Sequence, residues 1–197
     1  MMRTRGGLRV VVPVLLAAIL GLPPAAQEWE DPGDPPLFQA VLQGDSTAVR
    51  NLLESGADPE GPGFPFPPFA LWASRNGRED ILRLLVAKGA DPRGKGILRL
   101  DPPDQGFYGN TLGAAAGEGH LAVVRFLMET CRVPVDDREI VEDGTESGWT
   151  ALMWAASAGR ADVCAYLLAQ GASPTATDGP GRTALHQAAL RGRADIC

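Results

Sequence analysis

Residues 148–174 read GWTALMWAASAGRADVCAYLLAQGASP. Thr150 precedes a short run of small and apolar residues, Ala151 to Ala158, that stops at Gly159. A second run, Val163-Cys164-Ala165-Tyr166-Leu167-Leu168, has the apolar spacing of a helix buried on one side. Gly171 closes it, because a glycine just past a helix adopts the left-handed conformation that ends it. Pro174 cannot continue the helix. The stretch encodes two short helices, each too short to be stable alone in water.

The same text recurs along the chain. A Gly that ends a small-residue helix and opens an apolar one stands at Gly44, Gly77, Gly119, Gly159 and Gly192, at intervals of 33, 42, 40 and 33 residues. Two intervals are a 33-residue period and the other two are that period plus an insertion. First helices are read at Leu37-Phe38-Gln39-Ala40, Leu71-Trp72-Ala73, Leu112-Gly113-Ala114-Ala115-Ala116, Leu152-Met153-Trp154-Ala155-Ala156 and Leu185-His186-Gln187-Ala188-Ala189. Second helices follow at Val49–Leu53, Ile81–Leu85, Val123–Leu127 and Val163–Leu168. Closing glycines lie 12 residues after the opening ones at Gly56, Gly89 and Gly171, whereas Cys131 holds that place in the third unit. Units of this kind bury a continuous core only by stacking on their neighbours.

Thr150-Ala151-Leu152 and Thr183-Ala184-Leu185-His186-Gln187-Ala188 resemble the ankyrin signature T-P-L-H-x-A, and the Gly-Ala-Asp endings resemble that family's finger turn. The resemblance covers about residues 35–197 and implies an all-α ankyrin-repeat solenoid of stacked helix-turn-helix units with β-hairpin fingers. Its repeats are placed at 35–67, 68–109, 110–147, 148–180 and 181–197, the second and third carrying insertions. The Thr hydroxyl serves as an N-cap. Repeats one and two begin on Pro and lack it, and repeat three shifts the cap to Asn110. Repeat five stops five residues into its second helix at Cys197, so a longer natural chain is expected, with a polar end repeat shielding the last apolar face.

Residues 1–26 have the three-part pattern of a secretory signal peptide: Arg3, Arg5 and Arg9, then an uncharged run Val10–Leu22, then Pro23-Pro24-Ala25-Ala26. The 13-residue run is shorter than the roughly 20 apolar residues a stable span needs. The expected location is the periplasm or the exterior of a cell, with bacterial make-up in the Ala, Gly and Arg usage. Residues 27–34 read as a linker. Without the leader, the 18 basic residues fall to 15 against 24 acidic ones, a net charge of −9. Such a balance repels phosphate backbones and anionic lipid, so nucleic acid is excluded as an expected partner.

No HExxH, GxSxG, phosphate loop or paired metal motif occurs, and no catalytic residue, cofactor or metal is expected. His186 fills the signature's His position and His120 follows an opening Gly, both with structural roles. Asp136 and Asp137 sit in a finger turn, where adjacent acids are expected to be solvated. Cys131, Cys164 and Cys197 are 33 residues apart. Cys164 and Cys197 hold equivalent positions in stacked helices, about 10 Å apart and too far for a disulfide, and Cys131 lies at the far end of its helix. Unpaired thiols are expected, with Cys164 acting as a small core residue.

By resemblance, the partner is another protein, bound by a monomer on a concave surface of finger tips and first-helix ends. The slots are the residue before the Thr position and the two before the opening Gly. They are Trp149 and Arg182, then Leu42-Gln43, Arg75-Asn76, Gly117-Glu118, Ser157-Ala158 and Leu190-Arg191. The insertion 93–109 adds Ile97, Leu98, Leu100, Phe107 and Tyr108 on a loop, as partner anchors or as cover for the neighbouring finger. A second insertion spans 138–147, and the Phe64–Phe69 segment is expected to cover the start of the stack. Two further readings stand beside the binding module: an ankyrin part of a larger exported enzyme with catalysis beyond residue 197, and a structural spacer.

Overall fold

The computed structural model describes residues 36–61, 68–98, 107–138, 148–194 and 196. The leader, the linker, residues 62–67, residues 99–106 of the first insertion, residues 139–147 of the second, Asp195 and Cys197 lie outside the described residues. First helices are α1 (Pro36–Gln43), α3 (Phe69–Arg75), α5 (Thr111–Glu118), α7 (Ala151–Ala158) and α9 (Ala184–Leu190). Second helices are α2 (Ser46–Glu54), α4 (Glu79–Ala87), α6 (Leu121–Arg125) and α8 (Ala161–Ala169), with α6 running on into a π turn, Phe126–Thr130.

Each first helix stops by one device. Gly44, Gly77, Gly119, Gly159 and Gly192 all have φ between 67° and 86°, the left-handed region open to glycine. The amide of the next residue donates to a carbonyl five back: Asp45 to Ala40, Arg78 to Ala73, His120 to Ala115, Arg160 to Ala155, Arg193 to Ala188. The alanines at those acceptor positions are buried, at 6% exposure or less, because neighbouring first helices approach there. Larger residues such as Leu112, Leu82, Leu85, Leu127 and Leu167 fill the seam behind them and are wholly buried. First helices pack in sequence, α1 on α3, α3 on α5, α5 on α7 and α7 on α9. One continuous apolar cluster runs from Leu37 to Ala188.

Start signals act as the residues predict. The Asn110 carboxamide oxygen accepts from the Gly113 amide at 2.7 Å, and the Thr150 hydroxyl accepts from Met153 at 3.4 Å. Thr183 forms a reciprocal capping box with His186, which gives that histidine its structural role. Pro68 supplies no side-chain cap to α3.

Repeat three departs from the expected close. The left-handed residue is Arg132, at φ 60°, and not Cys131. Elsewhere the closing bond spans five residues, as from Ala57 to Leu52, Ala90 to Leu85 and Ala172 to Leu167. Here Val133 reaches back six, to Leu127. The π turn houses one extra residue, so the close shifts by one and falls on an arginine. A non-glycine residue there costs about 1–2 kcal/mol. Arg132→Gly is therefore expected to stabilise the protein by about 1 kcal/mol, read as a raised urea midpoint at unchanged m-value.

The 93–109 insertion is not a plain loop. Lys95–Leu98 (β1) pairs antiparallel with Phe107–Asn110 (β2), in the register Lys95 to Asn110 and Leu98 to Phe107. The expectation of Ile97, Leu98, Phe107 and Tyr108 on a loop is thus corrected: all four are strand residues. They lie in the arms of a hairpin whose connecting residues 99–106 are outside the described set. It is the one strand pair among the described residues, and the described parts of the other fingers are turns.

Candidate protein-binding surface

The second helices tie each repeat to the one before it. The residue after each opening Gly turns its side chain back over the preceding repeat's Gly. A Cβ built on Gly44 would come within 2.7 Å of the Arg78 guanidinium, one on Gly77 within 2.9 Å of the His120 ring, and one on Gly119 within 2.9 Å of Arg160. His120, Arg160 and Arg193 also donate to the carbonyl two residues before the Gly that each covers. His120 Nε2 is 2.9 Å from the Arg75 carbonyl, Arg160 Nε 3.1 Å from that of Gly117, and Arg193 Nε 3.4 Å from that of Ser157. The carbonyls are the unpaired ends of the first helices. The ladder fixes where each first-helix end sits, and therefore where the slot residues project.

Arg75 and Glu118, from successive repeats, meet in an ion pair at 3.3 Å. Glu118 is exposed and Arg75 is half-buried. Asn76 is exposed, but its amide donates to the Trp72 carbonyl at 2.8 Å and serves to close α3. Trp149 is partly buried, its ring 4.5 Å from that of Trp154 at an interplanar angle of 48°. The Trp154 ring lies over α5 where Gly113 has no side chain: a Cβ there would stand 2.9 Å from Cδ1. Arg182 is drawn onto its own finger, with Nε 3.1 Å from the Asp178 carboxylate and its amide donating to the same group at 2.7 Å. Leu190 (64% exposed) and Arg191 face solvent. The side chains of Phe107 and Tyr108 lie outside the description, and their backbone is in β2.

Two residues that sequence reasoning passed over belong to this surface. Trp154 stands beside Trp149, and Trp72 packs on Leu71 and Ala114 with its ring edge-on to Phe38 at 5.8 Å. Both occupy the place five residues before the opening Gly, where the other repeats carry Gln39, Ala114 and Gln187. No shared residue type marks the place, so only the aromatic identity of two of its five occupants was a signal.

The expectation that Asp136 and Asp137 are solvated is overturned. Asp137 is buried, and its carboxylate accepts from Arg93 Nη2 at 2.6 Å and Asn110 Nδ2 at 3.1 Å, with Lys95 Nζ at 3.6 Å. It locks the third finger to the base of the hairpin and to the cap of α5. Hydrogen bonding to Asp137 pushes the Arg93 pKa above its ordinary value. Asp136 accepts from the Ser173 amide at 3.3 Å and so bridges to the next finger. These acids are structural because their partners lie on neighbouring repeats.

On the outer side, the Arg83 guanidinium lies 4.3 Å from the Phe126 ring centre and Arg125 lies 4.4 Å from that of Tyr166. Burial, with a hydrogen bond to Glu129, raises the Tyr166 pKa. Burial likewise pushes the Cys131 thiol up, against the nearby Arg83 charge, so it is a poor nucleophile. Cys164 is buried in the core. Among the described residues no group of three or more His, Cys, Asp or Glu could hold a metal ion, and no helix is long and apolar enough to cross a membrane.

A family model described as Ankyrin repeats (3 copies) matches residues 71–178 and 112–197. No curated protein matches the chain. The two matched stretches overlap and together take in residues 71–197, well over half of its length, with the helix pairs and reach-back contacts described above. The chain belongs to the ankyrin repeat family.

Proposed function

We propose that the chain is the protein-binding module of an exported protein and works by recognition, not catalysis. Ankyrin repeats generally mediate protein–protein interaction. The observation that carries the reading is the Trp149–Trp154 pair, with the Trp154 ring over the glycines of α5, together with the Arg75–Glu118 ion pair that joins the ends of successive first helices. Tryptophan and arginine supply the largest share of interface energy when a partner desolvates them. Arg182 contributes less than its position suggests, because Asp178 already holds it. The support for export is the residue pattern of 1–26, and the compartment that follows from it is the periplasm or the exterior.

The test is capture from the exported fraction by the full chain, repeated with Trp149→Ala plus Leu190→Ser. Leu190 is already exposed, and Trp149 lies at the surface edge of its repeat, so the variant keeps its helix signal by circular dichroism. Capture is expected to fall at least tenfold, about 1.4 kcal/mol. Equal capture by the folded variant would refute this face as the binding site.

A further inference from the structure

Asn76 and Gly77, at the end of α3, are the one Asn-Gly pair in the sequence. Such a pair is reactive, because the next amide nitrogen sits within ring-closing reach of the carboxamide carbon and glycine has no side chain to hinder the approach. Asn51 and Asn110 are followed by Leu52 and Thr111, which do hinder it. At the place of Asn76 the other repeats carry Gln43, Glu118, Ala158 and Arg191, and none of these closes the same ring. Asn76 is exposed, but the folded chain restrains it. Its Nδ2 donates to the Trp72 carbonyl at 2.8 Å, and the Gly77 amide donates to the Ser74 carbonyl at 3.3 Å. Attack therefore needs the last turn of α3 to open. That turn is lightly held. Pro68 gives no side-chain cap to α3, and Trp72 Nε1 and the Ser74 hydroxyl are buried with no hydrogen-bond partner among the described residues. Ser74 stands where other repeats bury Val41, Ala116 and Ala156. Opening returns its hydroxyl to water, which offsets part of the cost of opening.

We propose that Asn76 is a deamidation site, gated by opening of the α3 end, whose product disables the concave face. The opened Gly77 amide gives up its proton to base, and its nitrogen bonds to the Asn76 carboxamide carbon. The carbon–nitrogen bond of the carboxamide breaks, ammonia leaves, and a cyclic imide forms. Water adds to either carbonyl of the imide and opens it, to aspartate or to isoaspartate. Solvent supplies the only co-reactant. Both products damage the same junction. Aspartate sets an acceptor against the Trp72 carbonyl where Nδ2 donated, and adds a negative charge at the negative end of a helix. Isoaspartate runs the main chain through the side chain, so Gly77 no longer sits where its φ of 68° stops α3 and where the His120 ring covers it. Arg75, whose carbonyl accepts from His120 and whose guanidinium pairs with Glu118, loses its fixed position. The loss of binding rests on the concave-face reading above; the modification itself does not.

Isoaspartate mapping of the full chain, digested after incubation in mildly alkaline native buffer and in urea, tests the site. Isoaspartate is expected at residue 76 in native buffer, forming more slowly than in urea. Ser74→Ala removes the stranded hydroxyl and leaves the reacting pair intact. It is expected to slow the native reaction roughly fivefold and to leave the rate in urea unchanged. Asn76→Asp, which installs one product outright, is expected to keep the helix signal and to lower capture about tenfold. Native chain free of isoaspartate at residue 76, equal rates in native buffer and urea, or an unslowed Ser74→Ala chain overturns the proposal. Asn76→Asp with full capture also overturns it. If Trp149→Ala plus Leu190→Ser has lost capture in that case, the face remains the binding site; if it has not, the reading of the face falls as well.

Discussion

Gly148→Ala is expected to lower stability by about 3 kcal/mol, read as a reduced urea midpoint. Gly148 is buried and has φ 81°, so any side chain there pays the left-handed penalty of about 1–2 kcal/mol. It also stands against the next finger: a Cβ would lie 2.8 Å from the Asp178 Cα. The obstacle is backbone, which cannot swing aside as a flexible side chain would. Moving it disturbs Asp178, whose carboxylate holds Arg182 and, at 2.8 Å, the buried Gln187 amide. Gly171→Ala supplies the control. Its φ is 89° and nothing lies within 4 Å of its Cβ site, so only the backbone term of about 1 kcal/mol applies. Equal losses at the two positions would show that the fingers are not in close contact.

Asp137→Ala has the second-largest expected effect, also about 3 kcal/mol, because it strands a buried donor. The Asn110 amide is 3% exposed and keeps only its longer bond, 3.3 Å to the Asp137 carbonyl. Asn110 is at the same time the N-cap of α5, so a loosened carboxamide unsettles the helix start as well. Arg93 and Lys95 lose less, since the Arg93 side chain is half exposed and recovers water. Asp137→Asn keeps an acceptor and removes the charge, and is expected to cost only about 1 kcal/mol. Urea titration of the two variants separates the terms. Equal, small losses would mean that the carboxylate is solvated after all.

The fold was readable because its decisive contacts recur. The glycine spacing, the caps at Asn110 and Thr150, and the closes at Gly56, Gly89 and Gly171 are local, and each is encoded within a few residues of where it acts. The close of repeat three was read one residue early for a definite reason. A π turn adds a residue without breaking the apolar pattern, since Val123, Val124 and Leu127 keep their helical spacing. The extra residue shows only downstream, in the six residues from Leu127 to Val133 where the other repeats have five. Asp137 was misread because its partners Arg93 and Asn110 are 44 and 27 residues away, and a pair of acids in a turn looks the same whether solvated or buried. The Trp149–Trp154 contact crosses from the cap region to the helix face, and nothing periodic announces it.

The reach-back contacts of Arg78, His120, Arg160 and Arg193 have a consequence for how such a chain can change over generations. Each is written in one unit and meets the glycine of its predecessor, and those of His120, Arg160 and Arg193 are satisfied by that predecessor's peptide backbone, which any sequence supplies. A duplicated unit therefore arrives already fitted to its neighbour, and the array can lengthen or shorten by whole modules without a matching change elsewhere.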